Sequence, residues 1–278
     1  MRTDDPQTAV AVEAFLHAVL DRYGEHVAVV KPQIAFFEQL GWRGLQVLER
    51  VVERARQSGT LVLLDAKRGD IDSTAAAYAA YLDPDGALPV DAITVNPYLG
   101  RDTLAPFFDW SARAGRGVFV LVKTSNPGSR DYQDVHSPQR PLFEVVAQSL
   151  AEQAEKLRGP ETGWSSLGVV VGATHPQQSP SVRALLPNAL FLVPGYGAQG
   201  GGAEAAVSGF VRGPEGHLEG GIVNSSRAVL FPPDSQCDDI RAWEAAIDAA
   251  RERAIDELRR AVAVTPATRK EMTANEGV

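Results

Sequence analysis

The chain has 278 residues, 44% hydrophobic and 22% charged, with a formal net charge of −8. That is long enough for one large domain or two small ones, with a substantial core, and the acidic balance argues against general affinity for nucleic acid or an anionic membrane. A single cysteine, Cys237, excludes an internal disulfide, five scattered histidines show no metal-ligand spacing, and no apolar run approaches the roughly 18 residues that span a bilayer.

The opening MRTDDPQTAV carries acidic residues where a signal peptide would be basic, so a cytoplasmic protein is expected. A helical pattern then runs over 7–23. Seven apolar runs of strand length follow: VAVV (27–30), LVLLDA (61–66), AITV (92–95), GVFVLV (117–122), LGVVVG (167–172), LFLV (190–193) and GIVN (221–224). They are continuous rather than alternating, as in parallel strands covered on both faces. Helices are predicted between them at 44–58, 72–82, 102–113, 141–158, 177–186 and 201–210. A last one, over 238–263, has an apolar stripe of Ile240, Trp243, Ile247, Ala250 and Leu258.

Alternating strands and helices give an α/β class with a parallel sheet, and length and repeat count favour a (β/α)8 TIM-barrel type over an open sheet. Only seven strands are counted, so the first strand of such a barrel is apparently missing. The expected organisation is a single barrel domain over 1–264 and a disordered polar tail over 265–278.

In parallel barrels chemistry collects at the C-terminal ends of the strands. Here those ends carry Lys31, Asp65 and Lys67, Asn96, Lys123 to Asn126, the PGYGAQGG loop (194–201), and Asn224 to Arg227. Asp65 and Lys67 are two residues apart and so share a face. Lys31 on the neighbouring strand is placed to pair with Asp65, and Asp70, after the turn at Gly69, is placed to approach Lys67. The alternative is a solvated loop in which Asp70 or Asp72 caps the next helix while Lys67 and Arg68 point to water. The PGYGAQGG loop satisfies G-x-G-x-x-G. It sits on the sixth strand, which weakens a dinucleotide reading and favours a phosphate cradle assisted by Arg227; a plain turn also fits. SNPGS (125–129) reads as a turn.

The run Asp65-Ala66-Lys67-Arg68-Gly69-Asp70-Ile71-x-Ser73-Thr74 and the upstream VVKPQIAFFE (29–38) resemble orotidine 5′-phosphate decarboxylases of the longer bacterial subgroup. TVNPYLG (94–100), VKTSNPGS (122–129), VVVGAT (169–174), VPGYGAQGG (193–201) and VNSSRAVL (223–230) match in the same order, so the resemblance runs from about residue 7 to 262. It implies a (β/α)8 barrel acting as a homodimer on orotidine 5′-phosphate, giving UMP without metal or organic cofactor. Lys31, Asp65, Lys67 and Asp70 would form the charged catalytic network, with Lys67 as proton donor to C6. Asp70 and Thr74 would reach the partner subunit's site. Ser125 would contact the pyrimidine; Gln199 and Arg227, with the Gly197 loop, would hold the phosphate.

One departure stands out. The family's opening strand, ending in Gly-Leu/Ile-Asp-Pro, has no counterpart; Asp5-Pro6 repeats the dipeptide but reads as the start of a helix. Competing readings are a metal-dependent sugar-phosphate decarboxylase or aldolase of the same superfamily, a non-catalytic nucleotide-binding protein, and a nicotinamide-dependent oxidoreductase.

Overall fold

The structure, a computed structural model, describes residues 5–236 and 239–263. The expectations for Cys237 and for the 265–278 tail lie outside the described residues. Seven strands form one parallel sheet: β1 (Val29–Val30), β2 (Leu61–Arg68), β3 (Ala92–Val95), β4 (Gly117–Lys123), β5 (Ser165–Val171), β6 (Ala189–Val193) and, last in the order, β9 (Gly221–Val223). Each pairs with its sequence neighbour, β6 pairing with β9. Between them two two-residue strands, β7 (Val211–Arg212) and β8 (Leu218–Glu219), make a separate antiparallel hairpin.

In a flat seven-stranded sheet the outer strands would stand roughly 29 Å apart. Here Val29 of β1 and Ile222 of β9 pack against the same inner cluster, built on Leu63, Phe119, Val170 and Leu192. The sheet is therefore curled, although among the described residues β1 and β9 do not pair. Space inside is tight: a Cβ on Gly168 would lie 2.4 Å from the Phe119 ring, so the glycine makes room for the aromatic. Alternate strand residues, such as Val62, Leu64, Val118, Val120, Val169 and Phe191, face outward into the main core beneath the helices.

That layer holds α1 (Pro6–Tyr23), α2 (Ala35–Glu38), α3 (Gly41–Gln57), α4 (Asp72–Ala79), α5 (Ala105–Ala114), α6 (Leu142–Lys156), α7 (Ser179–Leu185), α8 (Ala203–Ala206), α9 (Arg227–Leu230) and α10 (Ile240–Val262). The spacing Val47, Leu48, Val51, Val52, Ala55 buries one face of α3. Asp5 caps α1, its Oδ1 accepting from the Gln7 N–H at 2.9 Å with Pro6 in the first turn; the Asp-Pro pair thus starts a helix, as its sequence context indicates. Among the described residues the buried Arg183 has no carboxylate partner, but it donates to the carbonyls of Gly209, Leu186, Pro187, Ala189 and Gly220 and stacks on Phe191.

Two predicted elements differ. The 201–210 helix shrinks to Ala203–Ala206, because Gly209 packs against the Phe191 ring where a Cβ would lie 2.6 Å away and the chain turns off into the hairpin. In α10, Ile247 and Ala250 are buried as expected, whereas Ile240 is 67% exposed in the opening turn, before the helix meets its neighbours. No described helix is long and apolar enough to cross a membrane.

Candidate active site

The ends of β1, β2 and β3 bring three charged side chains together. Lys31 Nζ donates to Asp65 Oδ2 at 2.7 Å, and Lys67 Nζ donates to Asp65 Oδ1 at 2.5 Å. Thr94 Oγ1 also donates to Asp65 Oδ1, at 2.9 Å. Lys31 and Asp65 are nearly sealed, while the Lys67 side chain keeps 43% of its exposure, so Lys67 is the member a ligand can touch. Burial pushes the Asp65 carboxyl up, but the two neighbouring ammonium groups outweigh it and hold the group below the ordinary aspartate range.

The backbone is shaped for this. β2 slips register against β3 between Leu64 and Arg68, and Lys67 has φ +49°, in the left-handed region that non-glycine residues avoid at a cost of about 1–3 kcal/mol. Thr94 Oγ1 accepts the N–H groups of both Ala66 (3.0 Å) and Lys67 (2.9 Å), fixing the unusual turn. Thr94 was not singled out in the sequence, because threonine is an ordinary strand residue.

Asp70 does not join this array within one chain. Its Oδ1 accepts the N–H of Ile71 at 2.8 Å, and no bond reaches Lys67; the chain after Gly69 turns outward, leaving Ile71, Asp72, Ser73 and Thr74 exposed. The capping alternative is not realised either: Ile71 occupies the N-cap of α4 with no side-chain bond. Arg68 pairs with Glu38 and lies over the Tyr78 ring rather than pointing to water.

A second group forms at the ends of β4, β5 and β6. A Cβ on Gly195 would meet Ser125 Cβ at 3.1 Å, Gln199 Oε1 at 3.3 Å and Thr174 Cγ2 at 3.4 Å, so these side chains converge. They line a cavity of about 470 Å³ with Asn126, Arg130 and His175. The glycine-rich loop folds on itself, Gly200 N–H donating to the Gly197 carbonyl and Gly201 N–H to that of Gly195, with positive φ at Gly195, Gly197 and Gly200. Gly197 abuts the start of α9, a Cβ there lying 3.2 Å from Ala228. Arg227 is exposed and engages no carboxylate among the described residues. Both groups sit at the C-terminal end of the sheet, and among the described residues no hydrogen bond or ion pair joins them. Lys123, one of the polar strand ends, forms an ion pair beneath the Ser125 turn with Asp134, a partner that the sequence does not point to.

The model of the orotidine 5′-phosphate decarboxylase / HUMPS family matches residues 5–236. The orotidine 5′-phosphate decarboxylase of Rhodopirellula baltica is 41% identical over 251 residues, covering 87% of this chain and 82% of that one. The enzyme of the same name from Halorubrum lacusprofundi is 45% identical over 244 residues, covering 86% and 82%. Among solved structures, Leishmania donovani OMP decarboxylase superposes with a TM-score of 0.71 at 34% identity, covering 91% of this chain and 88% of that one.

Proposed function

Because the chain belongs to the orotidine 5′-phosphate decarboxylase / HUMPS family, we propose that it uses Lys67 to protonate C6 of the pyrimidine as CO₂ departs. The reaction itself is the decarboxylation of orotidine 5′-phosphate in pyrimidine biosynthesis. Breaking the C6–carboxylate bond leaves an electron pair at C6 that the ring cannot delocalise. A fixed ammonium at that carbon stabilises the developing charge, then gives up a proton to form the C–H bond of UMP. Lys67 is left as the amine and is reprotonated from water.

The observation that carries this reading is the Lys31–Asp65–Lys67 array on a strained turn. Asp65 aims the Lys67 ammonium, and Lys31 supplies a second positive charge that keeps Asp65 ionised. The same geometry favours a metal-free reaction over the magnesium-dependent alternative. Both Asp65 oxygens already accept from ammonium groups, and Oδ1 also accepts from Thr94, so a cation there would have to displace a lysine.

In this reading Ser125 contacts the pyrimidine, and Gln199, Arg227 and the loop at Gly197 take the phosphate. Binding energy from that remote group orients the reacting end, and the glycine-rich loop is suited to closing over it. The enzyme acts as a homodimer in which Asp70 and Thr74 enter the site of the second copy. Supporting this, Asp70 makes no hydrogen bond to its own Lys67, its Oδ1 accepting from Ile71 instead, and Phe36, Trp42, Ile71 and Tyr98, in the segments that follow β1, β2 and β3, are exposed apolar side chains that a partner would cover.

The test is the absorbance change of orotidine 5′-phosphate on mixing with the purified chain in EDTA. Turnover is expected, and Lys67→Ala should lower kcat by at least about 10³-fold. Turnover abolished by EDTA would overturn the metal-free arrangement; an unimpaired Lys67→Ala variant would remove Lys67 as the proton donor.

A further inference from the structure

Lys123 has no solvent exposure at all, yet it stands two residues before Ser125. Along β4, Val118, Val120 and Val122 face the helices and Phe119 faces the inside of the sheet. Unbroken alternation would send Lys123 inward. The register against β5 shifts between Leu121 and Lys123 instead, and the side chain runs outward: its Nζ lies 5.7 Å from the centre of the Phe143 ring on α6. There it donates to Asp134 Oδ1 at 2.7 Å. Such an ammonium cannot stay charged in a dry site without a countercharge, and Asp134 supplies it.

Asp134 belongs to the polar segment 129–140, to which the sequence assigns no role. The segment grips the turn that carries Ser125. Gln133 Oε1 accepts the Thr124 N–H at 2.9 Å, and Gln133 Nε2 donates to Thr124 Oγ1 at 2.8 Å. Thr124 Oγ1 in turn donates to Asn126 Oδ1 at 2.7 Å. From the β5 side, Thr174 Oγ1 donates to the Ser125 carbonyl at 2.9 Å, and Gln178 Nε2 donates to Asp134 at 3.1 Å. Ser125 is thus held between two anchored neighbours, on the wall of the 470 Å³ cavity that it shares with Gln199.

We propose that segment 129–140 is a brace for recognition of the base: Asp134 acting through Lys123, and Gln133 acting through Thr124, are positioning residues that fix Ser125 against the substrate's pyrimidine. This rests on the reading of Ser125 given under the proposed function. A contact of this kind requires placement to within a fraction of an ångström, and misplacement by about 1 Å costs up to about 10²-fold in rate.

A double-mutant cycle on kcat/KM for orotidine 5′-phosphate tests it, with the full chain, Asp134→Asn, Ser125→Ala and the double variant. Asp134→Asn preserves shape and removes the charge. Alone it should lower kcat/KM about 10- to 100-fold, chiefly through KM. In the Ser125→Ala background it should lower it less than about 2-fold further, because the group it positions is gone. Equal losses in both backgrounds would overturn the brace and leave Asp134 as a support of the fold. If Asp134→Asn does not fold, Gln133→Ala, which reaches the same turn through Thr124, is taken through the same cycle with the same two outcomes. An unimpaired Ser125→Ala variant would overturn the role of Ser125 on which the brace depends. No turnover by the unsubstituted chain would instead remove the proposed function itself.

Discussion

Thr94 shows how much one buried hydroxyl can carry. It donates to Asp65 and accepts from two consecutive backbone N–H groups, one of them that of Lys67 in its left-handed conformation. Thr94→Val keeps the shape but leaves both N–H groups without an acceptor, at about 1–3 kcal/mol each, and frees the Lys67 turn. The variant is expected to stay folded with kcat lowered about 10-fold in the steady-state assay, the approximate cost of one lost orienting hydrogen bond. Asp65 gives a prediction in pH. Its native carboxyl is held below the ordinary 3.8 by Lys31 and Lys67 despite its burial, so its stabilising contribution is complete above 3.8 and is lost as pH falls through the depressed native value. Urea titrations of the wild type and Asp65→Asn at a series of acid pH values should show the stability gap narrowing as pH falls below 3.8; a constant gap would contradict the assignment. Lys31, Asp65 and Lys67 were legible in the sequence because charges at the end of a buried strand have few other uses. Thr94 was not, since a strand threonine looks the same whether or not it holds a carboxylate. Arg183 left no trace either, because its partners are backbone carbonyls, which every residue has.

At the scale of elements, the seven strands and most helices follow from apolar periodicity, down to β3, whose Ala92–Val95 bounds are those of the AITV run. What periodicity misses is where it breaks. Two of the three register shifts in the sheet, before Arg68 on β2 and before Lys123 on β4, change which way a side chain points without altering composition. The β7–β8 hairpin is two residues deep and carries no pattern to detect. Long-range closure was likewise out of reach. The ends of the sheet are tied by helices: Val19 and Tyr23 of α1 cluster with Ile247 of α10 and with Val229 and Leu230 of α9. The Tyr23 hydroxyl lies 2.7 Å from the Ile247 carbonyl and 3.0 Å from that of Val229, and burial raises its pKa to about 12. Tyr23→Phe should cost about 1 kcal/mol, read as a fall of roughly 2–4 °C in Tm, with kcat unchanged.

In the proposed reading the chemistry is divided between the Lys31–Asp65–Lys67 array, the turn at Ser125 and a segment, 70–74, whose residues 71–74 are exposed in the single chain. For a two-fold dimer with shared sites, this arrangement makes a quantitative prediction. Mixing inactive Lys67→Ala and Asp70→Ala chains and allowing subunit exchange should restore about a quarter of wild-type activity, since half the dimers are then mixed and each carries one intact site. No recovery, with exchange verified by mass, would place Asp70 outside the partner's site. The sequence indicated seven strands, and seven form the sheet, but its curl and the absence of pairing between β1 and β9 are properties of distances that no local pattern encodes.

The tie between Tyr23 and Ile247 also sets a clock. The two residues are 224 positions apart, and at the usual 5–20 residues per second a ribosome needs roughly 10–45 s to travel between them. Throughout that interval the first helix has been made but its last partner has not. Synthesis speed between residues 23 and 247 therefore sets how long α1 remains without that partner.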